Sequence, residues 1–170
     1  LLYCKDIFLN DLLIIDSHCH LDSLDYKTQH KSVDEVIEKA KARGVEHIVS
    51  VCTTLGRFNA MKQLTAHRND VSLSCGVHPL NVDEEPFDYD KLFTFAQDPK
   101  VVAIGETGLD YHYTPETKVL QQEIFAAQID VAKKVNKPLI IHTRTAREDT
   151  MNMLEPVSYT HLTLPTNREV

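Results

Sequence analysis

Leu12-Leu13-Ile14-Ile15-Asp16-Ser17-His18-Cys19-His20 is the stretch that decides the reading of this chain. Its first four residues, Leu12 to Ile15, make a short, continuously apolar run, as expected of a strand buried on both faces of a parallel sheet. The run then gives way to metal-ligand types of side chain. Side chains alternate across a strand, so His18 and His20 project from one face and can share one cation. Asp16 has the same parity, and either orients a histidine or stays outside the coordination sphere. A His-x-His pair taken alone also fits two polar residues at a strand end, so the weight falls on what repeats downstream.

What repeats is a strand followed by a helix. Ser32 opens a Ser-x-x-Glu capping box with Glu35, after which Val33, Val36, Ile37 and Ala40 recur at helical spacing until Gly44 stops the helix. His47 to Cys52 reads as the second strand, and residues 55–67 as a helix with Phe58, Met61 and Leu64 on one stripe. Val71 to Gly76 is the third strand and Tyr89 to Ala96 the third helix. Val101 to Gly105 is the fourth strand. Pro115, a proline suited to a first helical turn, precedes a long helix to about Val135 with Leu120, Ile124, Ala127 and Val131 on one face. Pro138 to Ile141 and Ala146 to Leu154 are the fifth strand and helix.

Such alternation predicts an α/β fold with a parallel sheet and right-handed crossovers, either an open doubly wound sheet or a closed (β/α)8 barrel. No Gly-x-Gly-x-x-Gly follows the first strand and there is no P-loop, which weakens the nucleotide-binding version. The strand ends favour the barrel. Asp16 to His20 follows the first strand, Gly76-Val77-His78-Pro79 the third, Gly105-Glu106-Thr107-Gly108-Leu109-Asp110 the fourth, and His142-Thr143-Arg144 the fifth. TIM-type barrels carry their chemistry at this rim. The expectation is a (β/α)8 TIM-type barrel of which about the first five βα units are present.

Each rim residue has a bland reading beside the functional one. Glu106 follows an apolar strand and precedes a glycine-containing loop; it either gives one carboxylate oxygen to each of two cations or is satisfied by backbone amides. His142, straight after Leu139-Ile140-Ile141, could be a satisfied core histidine, but a strand end beside Arg144 favours a site role. Arg144 suits a phosphate oxygen or a surface ion pair. His78 either donates to a phosphate or stabilises its turn. His30, His47, His67, His112 and His161 lack this placement and are read as surface or structural, with His112 held in reserve because its loop overhangs the rim.

Composition sets limits. The 170 residues are 42% hydrophobic, enough to bury a core, and carry 18 Lys+Arg against 25 Asp+Glu, a net charge of −7. That balance excludes sequence-independent coating of nucleic acid, though not a nuclease whose cations hold phosphates locally. Apolar runs fall well short of the roughly 18 residues of a membrane span. Leu1 to Asn10 contains Lys5 and Asp6 and no small-residue cleavage pattern, so it does not read as a signal peptide. Cys4, Cys19, Cys52 and Cys75 form no Cys-x-x-Cys and read as free thiols in a reducing compartment, which points to a cytoplasmic protein.

Taken together, Asp16-Ser17-His18-Cys19-His20-Leu21-Asp22, Cys75-Gly76-Val77-His78-Pro79, Gly105-Glu106-Thr107-Gly108-Leu109-Asp110-Tyr111 and Ile141-His142-Thr143-Arg144 resemble the TatD family of metal-dependent deoxyribonucleases, closest to its YcfH-like bacterial branch. The resemblance covers roughly Leu13 to Leu154. It implies a dinuclear site: His18 and His20 on the first metal, Glu106 bridging, His142 on the second, with zinc, manganese or magnesium as occupants. It also implies DNA as substrate, often degraded from the 3′ end by a water that the metals activate. His78 and Arg144 would lie on the phosphate side. The family's sixth-strand metal histidine and its catalytic aspartate have no counterpart here, so no catalytic residue is assigned within the chain.

The expected division is 1–11 as upstream extension, 12–155 as the N-terminal part of the barrel, and 156–170 as a tail foreign to it. Composition shifts at Pro156, and His161, in that tail, is rejected as a metal ligand. A sheet with its first and fifth strand edges unpaired is expected to be only partly folded and inactive alone. Two other readings stay open: an amidohydrolase-type barrel cleaving C–N or C–O bonds, many of which place a modified lysine where Glu106 stands, and a non-catalytic metal-binding fragment.

Overall fold

A computed structural model describes residues 14–155. The tail expected at 156–170 lies outside the described residues, as does the extension expected at 1–11. Five strands, β1 (Ile14–Cys19), β2 (Val45–Ser50), β3 (Val71–Cys75), β4 (Val101–Asp110) and β5 (Leu139–Arg144), pair in parallel in chain order. Between and after them run α1 (Val33–Lys41), α2 (Phe58–Leu64), α3 (Tyr89–Ala96), α4 (Lys118–Val135) and α5 (Arg147–Leu154). A doubly wound sheet would reverse its strand order at a switch point. Here every strand lies beside its sequence neighbour, which is the wall of a (β/α)8 barrel, and the described residues form about half of one.

Helices cover one face of this wall. Ile48, Leu73, Cys75 and Ile104 pack there with Ile37, Phe58, Met61, Leu92, Ile124 and Val131. Phe58 stacks on Phe95 with centroids 4.3 Å apart. On β3 the alternate positions, Ser72 and Ser74, face the other way. Ser72 meets His47 Nε2 at 2.8 Å, and the buried Ser74 hydroxyl donates to the Gly105 carbonyl at 2.6 Å.

Local signals hold where they rest on caps. The Ser32 side chain accepts the Glu35 amide, while Glu35 reaches back one residue further than a standard capping box, to the Lys31 amide at 2.6 Å. Gly44, at φ +89°, ends the α1 unit. The fourth strand differs from expectation. Rather than ending at Gly105 it runs to Asp110, so Glu106 sits within a strand and not ahead of a loop. Gly108 explains part of this: it pairs with His142 at φ +127°, where a Cβ would overlap the His142 carbonyl oxygen. β1 and β5 likewise extend through Cys19 and Arg144, past the apolar runs that announced them.

The buried stripe of α4 also departs from the apolar face expected for it. Leu120 is exposed, whereas Gln121 and Gln128 are fully buried. Gln128 accepts the Val77 amide at 2.8 Å and donates to the Val77 carbonyl at 3.0 Å, as a neighbouring strand would. Gln121 does the same for the amide and carbonyl of Asp110.

At the opposite end of the strands, lysines close the helix ends. Lys100, just before β4, donates to the carbonyls of Thr65 and Arg68 beyond α2, at 2.7 and 2.8 Å. Lys137, just before β5, donates to the carbonyls of Ala96, the last residue of α3, and Asp98 beyond it. Cys19, Cys52 and Cys75 are free thiols, and burial pushes each of them up, to about 11, 11 and 12. No helix of the described residues is long and apolar enough to cross a membrane.

Candidate metal centre

The wall brings His18, His20, Glu106 and His142 to one mouth, although they lie far apart in the chain. Glu106 is the hub. Its Oε2 lies 3.2 Å from His18 Nε2 and 3.6 Å from His20 Nε2, and its Oε1 lies 3.7 Å from both His142 Nδ1 and His78 Nε2. Two donor groups result: His18, His20 and Glu106, and then His78, Glu106 and His142.

These spacings suit coordination better than direct hydrogen bonding. A tetrahedral ion held about 2.0–2.1 Å from each donor sets donor–donor edges of about 3.3 Å. Distances of 3.2 to 3.7 Å lie close to that edge, and most are long for a hydrogen bond. The outer hydrogen bonds also leave lone pairs aimed inward. His20 Nδ1–H donates to the Val51 carbonyl at 2.8 Å, which leaves Nε2 free toward Glu106. His142 Nε2–H donates to Asp110 Oδ2 at 2.9 Å, which leaves Nδ1 free toward Glu106. The residues present therefore fit a divalent cation held by His18, His20 and Glu106, and His142 offers a further nitrogen on the other side of the same carboxylate.

His78 belongs to the second group by distance but not by tautomer. Its Nδ1 accepts the Leu80 amide at 3.1 Å, capping the 3-10 turn Pro79–Asn81. A neutral ring that accepts at Nδ1 carries its proton on Nε2, and that N–H points at Glu106. Burial pushes this imidazole down to about 4, so it stays neutral near pH 7. His78 thus stabilises its turn, and its Nε2–H is turned toward Glu106.

Charge follows the same plan. Burial alone would raise the Glu106 carboxyl, but His142 and His18 beside it hold it well below the usual carboxylate range. His18 is raised, mainly through its bond to Glu106. For His142 burial works the other way, and Glu106 and Asp110 together prevail and raise it.

Asp110 is the residue that sequence reasoning missed, quoted within a motif but given no role. It is fully buried, and its second oxygen, Oδ1, accepts the amides of His112 and Tyr113 at 2.9 and 3.0 Å. Four residues beyond Glu106 on the same strand, it shares that residue's parity, a signal hidden by ending the strand at Gly105. Asp16 stays outside the group and accepts the His18 amide. The Arg144 guanidinium lies over the Tyr113 ring, 4.4 Å from its centroid, and has no carboxylate partner among the described residues. His47 and His67 are tied to Ser72 and Asp34 away from the mouth.

Fold and donors together define a β/α-barrel protein with two potential metal-binding groups at its rim. Comparison with known proteins narrows this. The family model described as TatD related DNase matches residues 15–164, and the chain belongs to the TatD family. YcfH of Escherichia coli (strain K12), named an uncharacterized metal-dependent hydrolase, is 52% identical over 143 residues, covering 84% of this chain and 54% of its own. Human "Deoxyribonuclease TATDN3" is 34% identical over 156 residues, covering 84% of this chain and 56% of its own. The chain thus spans about half the length of the curated relatives it matches. The crystal structure of YjjV, a TatD homolog from Escherichia coli K12, superimposes with a TM-score of 0.76 at 24% identity, covering 88% of this chain and 57% of that one. At that identity it speaks for the fold alone.

Proposed function

We propose that these residues form the metal-holding side of a hydrolase that cleaves phosphodiester bonds in DNA, acting as a 3′-exonuclease with two divalent cations. The observation that carries this reading is the split of Glu106, one oxygen toward His18 and His20 and the other toward His142. A carboxylate with one oxygen toward each donor group can serve two cations at once, as in two-metal hydrolytic sites. When bound, such ions supply Lewis-acid polarisation and charge neutralisation at phosphorus.

The chain's own residues do the rest. His20 and His142 offer nitrogen donors whose protons are directed outward, and His18 brings its Nε2 to the same carboxylate; such nitrogen donors favour zinc or manganese over magnesium. The Nε2–H of His78 points into the mouth, where it donates to a phosphate oxygen. Arg144, two residues past His142 on β5, offers its guanidinium to another. DNA as the substrate draws support from the name of the human relative.

The test is cleavage of single- and double-stranded oligonucleotides by the full-length protein with each cation in turn. Cleavage that is chelator-sensitive and lost in Glu106→Gln supports the reading. Stoichiometric metal without cleavage of any phosphodiester would overturn it. Turnover of an amide or lactone instead would favour the amidohydrolase alternative.

A further inference from the structure

The loop after β4 carries aromatic surface that the metal centre does not use. Tyr113 is 57% exposed, with no partner for its hydroxyl among the described residues. Arg144 covers one face of its ring, and His112 meets it edge-on with centroids 4.8 Å apart. Tyr111 is unlike it: its hydroxyl is bonded to Asp149 and its ring lies under Lys118. Tyr111 holds the fold together, whereas Tyr113 leaves its ring exposed beside Arg144.

The position of Tyr113 is fixed by the site itself. One oxygen of Asp110 takes the His112 and Tyr113 amides while the other takes His142. A single carboxylate therefore sets both the aromatic ring and a metal-facing histidine. Arg144 adds a cation over that ring, on the strand that carries His142.

We propose that Tyr113 is a stacking platform for an unpaired nucleobase of the nucleotide whose phosphate Arg144 and the metal centre hold. This deepens the phosphodiesterase reading above and rests on it. Every base has a π-face, so such a platform tolerates any sequence. A base inside a duplex has both faces covered by its neighbours, so the platform selects single-stranded or frayed ends. Arg144 and Tyr113 then divide one nucleotide between them, charge for its phosphate and a ring for its base.

The experiment compares the full-length protein with its Tyr113→Leu and Tyr113→Phe variants; leucine keeps an apolar cover for Arg144. On single-stranded oligonucleotides Tyr113→Leu should raise KM by roughly thirty-fold, the middle of the range for losing one base–aromatic stack, while Tyr113→Phe should match the parent. An oligonucleotide with an abasic terminal residue should erase the gap between parent and variant. A terminal 2-aminopurine in a non-hydrolysable oligonucleotide should be quenched by the parent and by Tyr113→Phe, and not by Tyr113→Leu. If the parent cleaves DNA but all three proteins share one KM and one degree of quenching, the platform is refuted and the phosphodiesterase reading stands. If the parent cleaves no phosphodiester, that reading fails first and the platform falls with it.

Discussion

Replacing Asp110 by asparagine exchanges one oxygen for an NH2 group and leaves the shape of the side chain unchanged, which makes it a clean probe of the centre. Oδ1 accepts two loop amides at 2.9 and 3.0 Å, so the asparagine must keep its oxygen there and turn its NH2 toward His142 Nε2. A donor facing Nε2 requires that nitrogen to be the acceptor. The ring proton must then move to Nδ1, the atom aimed at Glu106, and the lone pair meant for a cation is lost. Loss of such an outer partner lowers metal affinity about 10- to 100-fold, or about 1.4–2.7 kcal/mol. Because both loop bonds survive, the metal-free protein should lose only about 1 kcal/mol of stability. Competition of manganese or zinc against a chelating dye measures the affinity, and thermal melting measures the stability. Asp110→Ala should weaken metal as much and cost more stability, since the loop amides lose their acceptor as well. An Asp110→Asn protein that binds metal with the parent's affinity would show that the His142 tautomer does not matter, and the argument would fail.

Other consequences follow from neighbouring features. Manganese or zinc at about a hundred times its dissociation constant should stabilise the folded protein by about 2.7 kcal/mol, reversed by chelator, and a melting temperature indifferent to both would deny the donors their role. Gln128→Leu strands the Val77 amide and carbonyl in a fully buried position, and should cost about 2–4 kcal/mol in chemical denaturation; a cost below 1 kcal/mol would show that the loop finds other partners. Asp70 is held well below the usual carboxylate range by Arg68 and Lys41. A depressed carboxylate contributes stability above its unfolded value of about 3.9 and loses it as pH falls further, so Asp70→Asn should be less stable by a constant amount from pH 5 to 8. That gap should begin to narrow below about pH 4 and keep shrinking as pH falls toward the lowered folded-state value, and a gap that stays the same size from pH 5 down to pH 2 would contradict the assignment.

How much of this was legible in the sequence depends on the kind of signal. Ser32, Gly44 and the Tyr89–Ala96 helix are set by local caps and periodicity, and the structure has them where the sequence placed them. The convergence of His18, His20, Glu106 and His142 was legible because each follows an apolar run that reads as a buried strand, and such strands end at one rim. Strand length was not. Polar residues from Glu106 to Asp110 look like loop, yet Gly108 lets β5 approach closely enough for pairing to continue. Hydrophobic spacing also misled on α4, since Gln121 and Gln128 are buried for the backbone groups they satisfy and not for any apolar surface. Long-range hydrogen-bond partners of that sort leave no periodic trace.

The lysines beneath the wall bear on how such a molecule can change over generations. Lys100 and Lys137 fasten the ends of α2 and α3 from positions just before β4 and β5, at the opposite end of the strands from the rim that Glu106 and His142 face. Mutations that retune the rim for a new substrate therefore leave these fastenings untouched, and a lineage can alter its chemistry without first finding another way to stay assembled.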